Sequence, residues 1–526
     1  MKYVQTESLI QNHFRSMTLA YPGAVFDKER EFFPFRPPFT LNTPRGVQSI
    51  WSPVVVLVQT PLVALTGGFG GLIALSLACG LAILWLTVRL GGRTDDWALP
   101  VALGFGTCLW YYAVEPWEHV PAVAAIIGSL WLATAPGTRN QGPRTVQVLV
   151  ASLLFGSGVV LRYETLLLAP MLLLVVWRRH RRPAALVVAC AGVAAVVVGA
   201  AMLDFFVYGR PPAAHLLQVV GVLRSVFKTS FPGQPAVASM DVAGRYDTVV
   251  HYWVTNSLDR WVVLTFVGAA VAAAALARWA RSSAAVLVLA LVTLAWSSYQ
   301  LWLLVPAPRS VPGLINLSPF LVFALFAAPG TRNQEPGTSR AFLLAGCTIA
   351  IVLAILTTDT AGGKSLGPRM LLGLVPLLAI AAWQGIAGYL RAGEQPGNVI
   401  ARAIGWTGLL LVLVSIGINV CALRAWAERF EQERQSIEAV RQSPVRIVVA
   451  DDPFTAQSFM PLYFRKVLLL AENPAAARDA AAMLEREHVG VVMLVSREER
   501  PKVSLEPYRL LSSRSVGRVT LQEWIR

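Results

Sequence analysis

Phe69 to Arg93 reads FGGLIALSLACGLAILWLTVRLGGR, and this stretch decides the class of fold. From Phe69 to Leu90 the only charged residue is Arg89, near the end. A helix needs roughly 20 apolar residues to cross the hydrocarbon of a bilayer, so the segment is long enough to span it. Ala184 to Tyr208 and Ile404 to Leu423 repeat the pattern. Extended along the chain, the same reading gives about twelve spans. The expected fold is therefore a polytopic α-helical membrane protein with a small C-terminal α/β soluble domain.

Composition agrees. Of the 526 residues, 55% are hydrophobic and 14% charged, with a mean hydropathy of +0.56. A water-soluble core could not absorb that much apolar surface. The net charge of +15 could suggest nucleic acid. Much of it, however, lies in connectors between apolar stretches, which is the signature of membrane topology, so no nucleic-acid partner is expected. Each of the five cysteines lies in or at the end of an apolar stretch without a close partner, which leaves no zinc or redox motif.

Arginine bias orients the spans. Arg89 and Arg93, Arg139 and Arg144, Arg178 to Arg182, Arg278 and Arg281, Arg332 and Arg340, and Arg391 and Arg402 mark the cytoplasmic connectors. The alternate connectors face outward, with a long one over 209–259. The expected organisation is an outer first loop over 1–50, a membrane domain over 51–425, and an outer connector helix with an α/β domain over 426–526. An outward loop at residue 1 needs translocation, so a first span ending just before Met1 is expected. Tyr3 to Phe14 reads as an amphipathic helix, and the Phe32 to Phe39 run as a loop against the membrane interface. Trp51 to Leu65, interrupted by Pro53 and Pro61, reads as a half-inserted helix.

In the C-terminal domain, Val445 to Ala450, Val467 to Leu470 and Val489 to Val495 read as strands, with a helix over Pro474 to His488 between two of them. Asp451-Asp452-Pro453 after the first strand reads as a helix-capping turn. APGTRNQ occurs at Ala135 to Gln141 and again at Ala328 to Gln334, and a short turn copied locally accounts for it.

Ionisable groups at a membrane boundary are costly and tend to mark function. Three outward clusters carry them. The first, Trp110 to His119, places Glu115, Glu118 and His119 among aromatic rings. A carboxylate there could act as a general base, or the cluster is an aromatic belt with solvated acids. In the second, Arg162 and Glu164 share a tight turn, either to bind an anion or to pair with each other. The third runs from Asp359 to Met370. Its glycines, Lys364, Ser365 and Arg369 precede a helix and form a phosphate cradle or a flexible cap. Asp204 is either catalytic or a helix-end cap. His215, Asp241 and His251 lack ligand spacing, and no metal site is expected.

Four stretches resemble the GT-C superfamily of membrane glycosyltransferases, which includes protein mannosyltransferases and aminoarabinose transferases. They are Tyr112 to His119, Gly158 to Pro170 (GVVLRYETLLLAP), Gly362 to Pro376 (GGKSLGPRMLLGLVP) and Asp204 to Pro211 (DFFVYGRP). The resemblance implies a bacterial inner-membrane enzyme that takes a sugar from a polyprenyl-phosphate donor on the periplasmic side. It implies membrane lipids as partners and a catalytic role for Glu118; the residues themselves add Glu115 and His119 to catalysis and assign Arg162, Glu164, Lys364, Ser365 and Arg369 to substrate or phosphate binding. The family's acidic motif after its first helix would precede Met1. No cofactor is expected, and a divalent-metal requirement stays open. A transporter or lipid-carrier flippase, and a non-catalytic scaffold, are the alternatives.

Overall fold

Hydropathy dictates most of the helices in the computed structural model, which describes residues 2–36, 40–43, 45–49, 51–91, 97–135, 144–209, 283–308, 311, 313–326, 346–350, 369–499 and 501–526. The chain forms two compact units, one comprising 1–65, 202–214 and 426–526, the other 66–201 and 215–425.

Five described helices are long and apolar enough to cross a membrane: Gly70–Gly91, Pro183–Tyr208, Ser283–Leu304, Leu371–Glu394 and Val399–Gln442. The expectation was about twelve. Of the others, Pro53–Thr66, His119–Thr134 and Thr145–Leu161 are apolar but shorter, and some expected spans lie outside the described residues. Pro183–Tyr208 has a hydropathy of 2.6 with only 11% of its apolar window buried, whereas Leu371–Glu394 is 89% buried. The first presents its apolar surface to lipid and the second is a central element of its unit.

In the second unit, helix directions follow from side-chain neighbours. Ser76 Oγ donates to the Trp117 carbonyl (3.3 Å), and the Trp85 and Trp131 rings lie 5.6 Å apart, so Gly70–Gly91 runs parallel to His119–Thr134. Arg144–Leu161 returns antiparallel, with Gly158 beside Ala122 and Ile126. Arg89 therefore lies at the opposite end of this bundle from Glu118 and Arg162. Arg89, Arg178, Arg179 and Arg391 each occupy the last turn of a helix, where the helix dipole also favours positive charge.

The last apolar stretch and the charged connector expected after it form one helix of 44 residues, Val399–Gln442, about 66 Å long. From Trp406 to Trp426 it rises about 30 Å, the thickness of a hydrocarbon core. At Trp426 the ring carries Arg429 at 5.0 Å and Phe430 at 5.6 Å, the chemistry of a membrane–water boundary.

The first unit has an antiparallel hairpin, β1 (Thr40–Thr43) with β2 (Gly46–Ser49), and a five-stranded sheet. The strands of that sheet are β3 (Ile447–Ala450), β4 (Val467–Leu470), β5 (Val491–Ser496), β6 (Arg509–Val516) and β7 (Val519–Ile525), in the order β4-β3-β5-β7-β6. β3 pairs in parallel with β4 and β5, while β7 is antiparallel to both β5 and β6. Asp452 caps the helix Pro453–Ser458, accepting from Phe454 N (2.8 Å) and Thr455 N (3.0 Å). Asn473 does the same for Pro474–Arg486.

The Phe-rich run corrects its expected place at a membrane interface. Phe32, Phe33 and Phe35 are buried in one core with β3, β4 and β5. Asp27 shapes the turn before them by accepting from Tyr21 Oη, Glu31 N and Phe32 N, each at 2.8 Å. Leu470 N then donates to the Phe32 carbonyl (2.9 Å), Tyr463 Oη donates to the Ala20 carbonyl (2.8 Å), and the Phe35 and Tyr463 rings sit 5.0 Å apart. The apolar side chains of the run bury themselves against a sheet edge that also needs a hydrogen-bond partner.

Truncating a buried Phe costs about 3–5 kcal/mol. Phe35→Ala should lower the thermal transition of the detergent-solubilised protein accordingly. Phe454→Ala, at a ring 58% exposed, should leave it unchanged; equal effects would show that the Phe35 ring is not part of the core.

Candidate functional site

Two turns of the second unit, far apart in sequence, meet at one end of its helix pair. The first ends Leu109–Val114 with an extended Glu115 and leads through Glu118 into His119–Thr134. The second leaves Arg144–Leu161 at Arg162 and opens a 3-10 helix, Tyr163–Leu168. Gly158 allows them to approach: a Cβ there would lie 2.9 Å from Ile126 Cδ1 and 3.0 Å from the Ala122 carbonyl. One turn further on, Arg162 N donates to the Gly158 carbonyl (2.9 Å) and Thr165 Oγ1 donates to the Arg162 carbonyl (2.7 Å).

Arg162 lies between two carboxylates. Its Nη1 donates to Glu118 Oε1 (2.9 Å). Its Nε donates to Glu164 Oε1 (2.6 Å) and its Nη2 to the same oxygen. All three residues are buried. Burial alone would pull the guanidinium below its ordinary pKa, but the charges of Glu164 and then Glu118 outweigh it and hold the group firmly protonated.

His119 packs edge-on to Tyr112 and tilted to Trp117, each ring centroid 5.4 Å away. It faces an empty volume of about 380 Å³ that is also lined by Arg162, Glu164 and Thr165, with Leu167, Leu168 and Leu371 to Leu374 among its apolar walls. One wall offers hydrogen-bond donors and acceptors and the rest is aliphatic, as an amphiphile requires.

Of the residues singled out from sequence, the structure thus brings Glu118, His119, Arg162 and Glu164 together, with Glu115 buried in the same turn. Of the two readings of the Arg162 turn, the pair with Glu164 is present, and the arginine also reaches Glu118. Arg369 begins the 3-10 helix Arg369–Leu374, two residues before the first leucine lining the hollow. Lys364 and Ser365 lie outside the described residues.

Asp204 belongs to the first unit. It accepts from Ser52 Oγ (3.3 Å), while Tyr208 Oη donates to the Trp51 carbonyl (2.6 Å). Arg45 donates to the Phe206 carbonyl, and Gln48 Nε2 donates to the Val207 carbonyl (3.5 Å). Arg45 and Gln48 thus satisfy carbonyls at the open end of Pro183–Tyr208, whereas the Asp204 carboxylate bonds to a side chain. Nothing in the residue pattern signals the contribution of Arg45 and Gln48, because their targets are backbone carbonyls more than 150 residues away.

No protein-family model and no curated protein sequence matches the chain. Among solved structures, it is similar to ArnT from Cupriavidus metallidurans bound to undecaprenyl phosphate (11% identity, TM-score 0.45, 99% of this chain and 92% of that one). It is also similar to the apo state of the same protein (TM-score 0.37) and to the apo oligosaccharyltransferase of Archaeoglobus fulgidus (11% identity, TM-score 0.38, 94% of this chain and 68% of that one). The class that the fold defines is a multi-pass helical membrane protein with an α/β sheet in its other unit.

Removing one member of a buried ion cluster leaves uncompensated charge and costs about 3–5 kcal/mol, whereas replacing the whole cluster by neutral groups can be close to neutral. Arg162→Met should therefore lower the thermal transition of the purified protein sharply. The triple variant Glu118→Gln, Arg162→Met, Glu164→Gln should recover most of the loss; no recovery would contradict the triad as the source of the effect.

Proposed function

We propose that the chain is a GT-C-type membrane glycosyltransferase, moving a sugar from a polyprenyl-phosphate carrier to an acceptor hydroxyl on the periplasmic face of a bacterial inner membrane. The observation that carries this is the hollow beside Arg162 and Glu164, polar on one side and aliphatic on the other. A lipid-linked sugar is an amphiphile of that kind. Nucleotide sugars are cytoplasmic, so an outward site needs a donor already carried across on lipid.

In the reaction, the acceptor oxygen bonds to the anomeric carbon as the bond from that carbon to the phosphate oxygen breaks. The electron pair leaves on the phosphate, and a carboxylate of the Glu118–Arg162–Glu164 cluster takes the acceptor proton. Lys364, Ser365 and Arg369 are assigned to the departing phosphate. Their segment leads directly into Leu371 to Leu374, and preorganised positive charge lowers the barrier for such a leaving group. The ionisable groups of the cluster stand in turns at helix ends, whereas a transporter places its substrate site at broken helices near the midplane. That position favours transfer over transport.

The test is reconstitution in liposomes with a radiolabelled polyprenyl-phosphate sugar and a hydroxyl-bearing acceptor lipid. Labelled product and free polyprenyl phosphate should form together. Arg369→Gln should lower kcat by about 100-fold, the scale of losing one charge-stabilising group. Movement of the intact donor across the bilayer with no sugar transferred would replace this reading with the carrier one.

A further inference from the structure

We infer that Glu164, rather than Glu118, is the carboxylate that meets the acceptor hydroxyl, and that Arg162 is a positioning residue that holds it; the inference rests on the transfer reading above. Three observations bear on these roles, and the third separates the two carboxylates. First, Arg162 commits each of its three side-chain nitrogens to a carboxylate, two of them to the single oxygen Glu164 Oε1. The fork that could have gripped a phosphate is already filled.

Second, this leaves the other oxygen, Glu164 Oε2, buried and without a hydrogen-bond partner among the described residues. A buried carboxylate oxygen with no donor carries an uncompensated desolvation cost, and a ligand hydroxyl would relieve it. Third, Glu164 lines the hollow with His119 and Thr165, whereas Glu118 is not among the lining residues. Glu118 acts on the site through Arg162.

The backbone keeps Glu164 in place. Arg162 is extended, Glu164 lies in the first turn of the 3-10 helix, and the Thr165 hydroxyl ties back to Arg162. An acceptor held this way needs little reorganisation when substrate arrives. In the step itself, the proton of the acceptor hydroxyl passes to Glu164 Oε2 while its oxygen attacks the anomeric carbon. The carbon–oxygen bond to phosphate breaks with its electrons on the phosphate, and Glu164 later returns the proton to water.

The experiment compares Glu164→Gln, Glu118→Gln and His119→Asn in the reconstituted full-length protein, each checked for an unchanged elution profile. Hydrogen bonds and the hollow place Arg162, Glu118 and His119 near Glu164, with Tyr163 beside it in the chain, and the variants separate the carboxylate and imidazole contributions to the pH profile. Glu164→Gln should lower kcat by about 10²–10⁴-fold, leave KM within about threefold, and abolish the acid limb of the kcat profile. Glu118→Gln should retain that limb with a smaller loss. The reverse pattern, with the limb lost in Glu118→Gln and kept in Glu164→Gln, overturns the inference while the transfer reading stands.

A second measurement does not depend on turnover. A photoactivatable decyl glucoside should label 164–168 and 371–374, and Glu164→Ala should weaken that labelling about tenfold. Labelling by the matching decyl alcohol should not change. Should the wild type transfer no sugar, this measurement still decides: equal glucoside labelling of the wild type and Glu164→Ala would refute Glu164 as the ligand-facing group.

Discussion

One buried guanidinium between two buried carboxylates constrains everything near the candidate site. Taking three charges out of water is expensive, and only close, well-directed hydrogen bonds offset it. That requirement fixes the distance between the turn at Glu118 and the turn at Arg162, and therefore the approach of the two helices behind them. Gly158 follows from it, since any side chain there would collide with Ile126 or the Ala122 carbonyl. The geometry of the hollow is a consequence of the same clamp, because Arg162, Glu164 and Thr165 form part of its wall.

The rest of the molecule separates two solvents. In the second unit, apolar helices with basic last turns satisfy lipid along their length and the helix dipole at their ends. In the first, an α/β sheet recruits the N-terminal Phe-rich run into a core of ordinary globular chemistry. The helix Val399–Gln442 changes character along its own axis. It is apolar up to Trp426 and rich in Glu, Arg and Gln beyond, so the boundary between solvents is written into one continuous element.

Much of this was legible in the sequence. Because in lipid every backbone group must be satisfied within a helix, long apolar runs gave five described helices long enough to span, short of the roughly twelve expected. Valine-rich runs on either side of an Ala/Glu/Arg segment gave β3, β4, β5 and the helix Pro474–Arg486, and Asp452 proved to be the cap its turn chemistry suggested. β6 and β7 were not visible. RLLSSRSV has neither strict alternation nor a buried face, and its strand character comes from pairing with β7. The Phe32 to Phe35 run misled for a different reason: aromatic residues next to proline suit a membrane interface and a protein core equally, and only the partner distinguishes them. At the site, Arg162 with Glu164 was readable as a neighbouring pair, but the bond to Glu118 joins residues 44 positions apart. No periodicity encodes such a bond.

The charge of the cluster also determines where a phosphate can sit. Two carboxylates flank a single guanidinium, so the cluster presents acceptor oxygens rather than free positive charge to a phosphate brought beside it. The arginine cannot reverse this, because its nitrogens are already shared between Glu118 and Glu164. A phosphate-bearing substrate must therefore place its charge away from the triad and turn its uncharged, hydroxyl-bearing part towards it. The positive groups assigned to the phosphate, Lys364 and Arg369, come from the segment leading into Leu371 to Leu374, a separate chain segment lining the hollow. On the proposed transfer reading, a carboxylate that takes the proton and a separate basic segment assigned to the leaving group would give the reaction its direction.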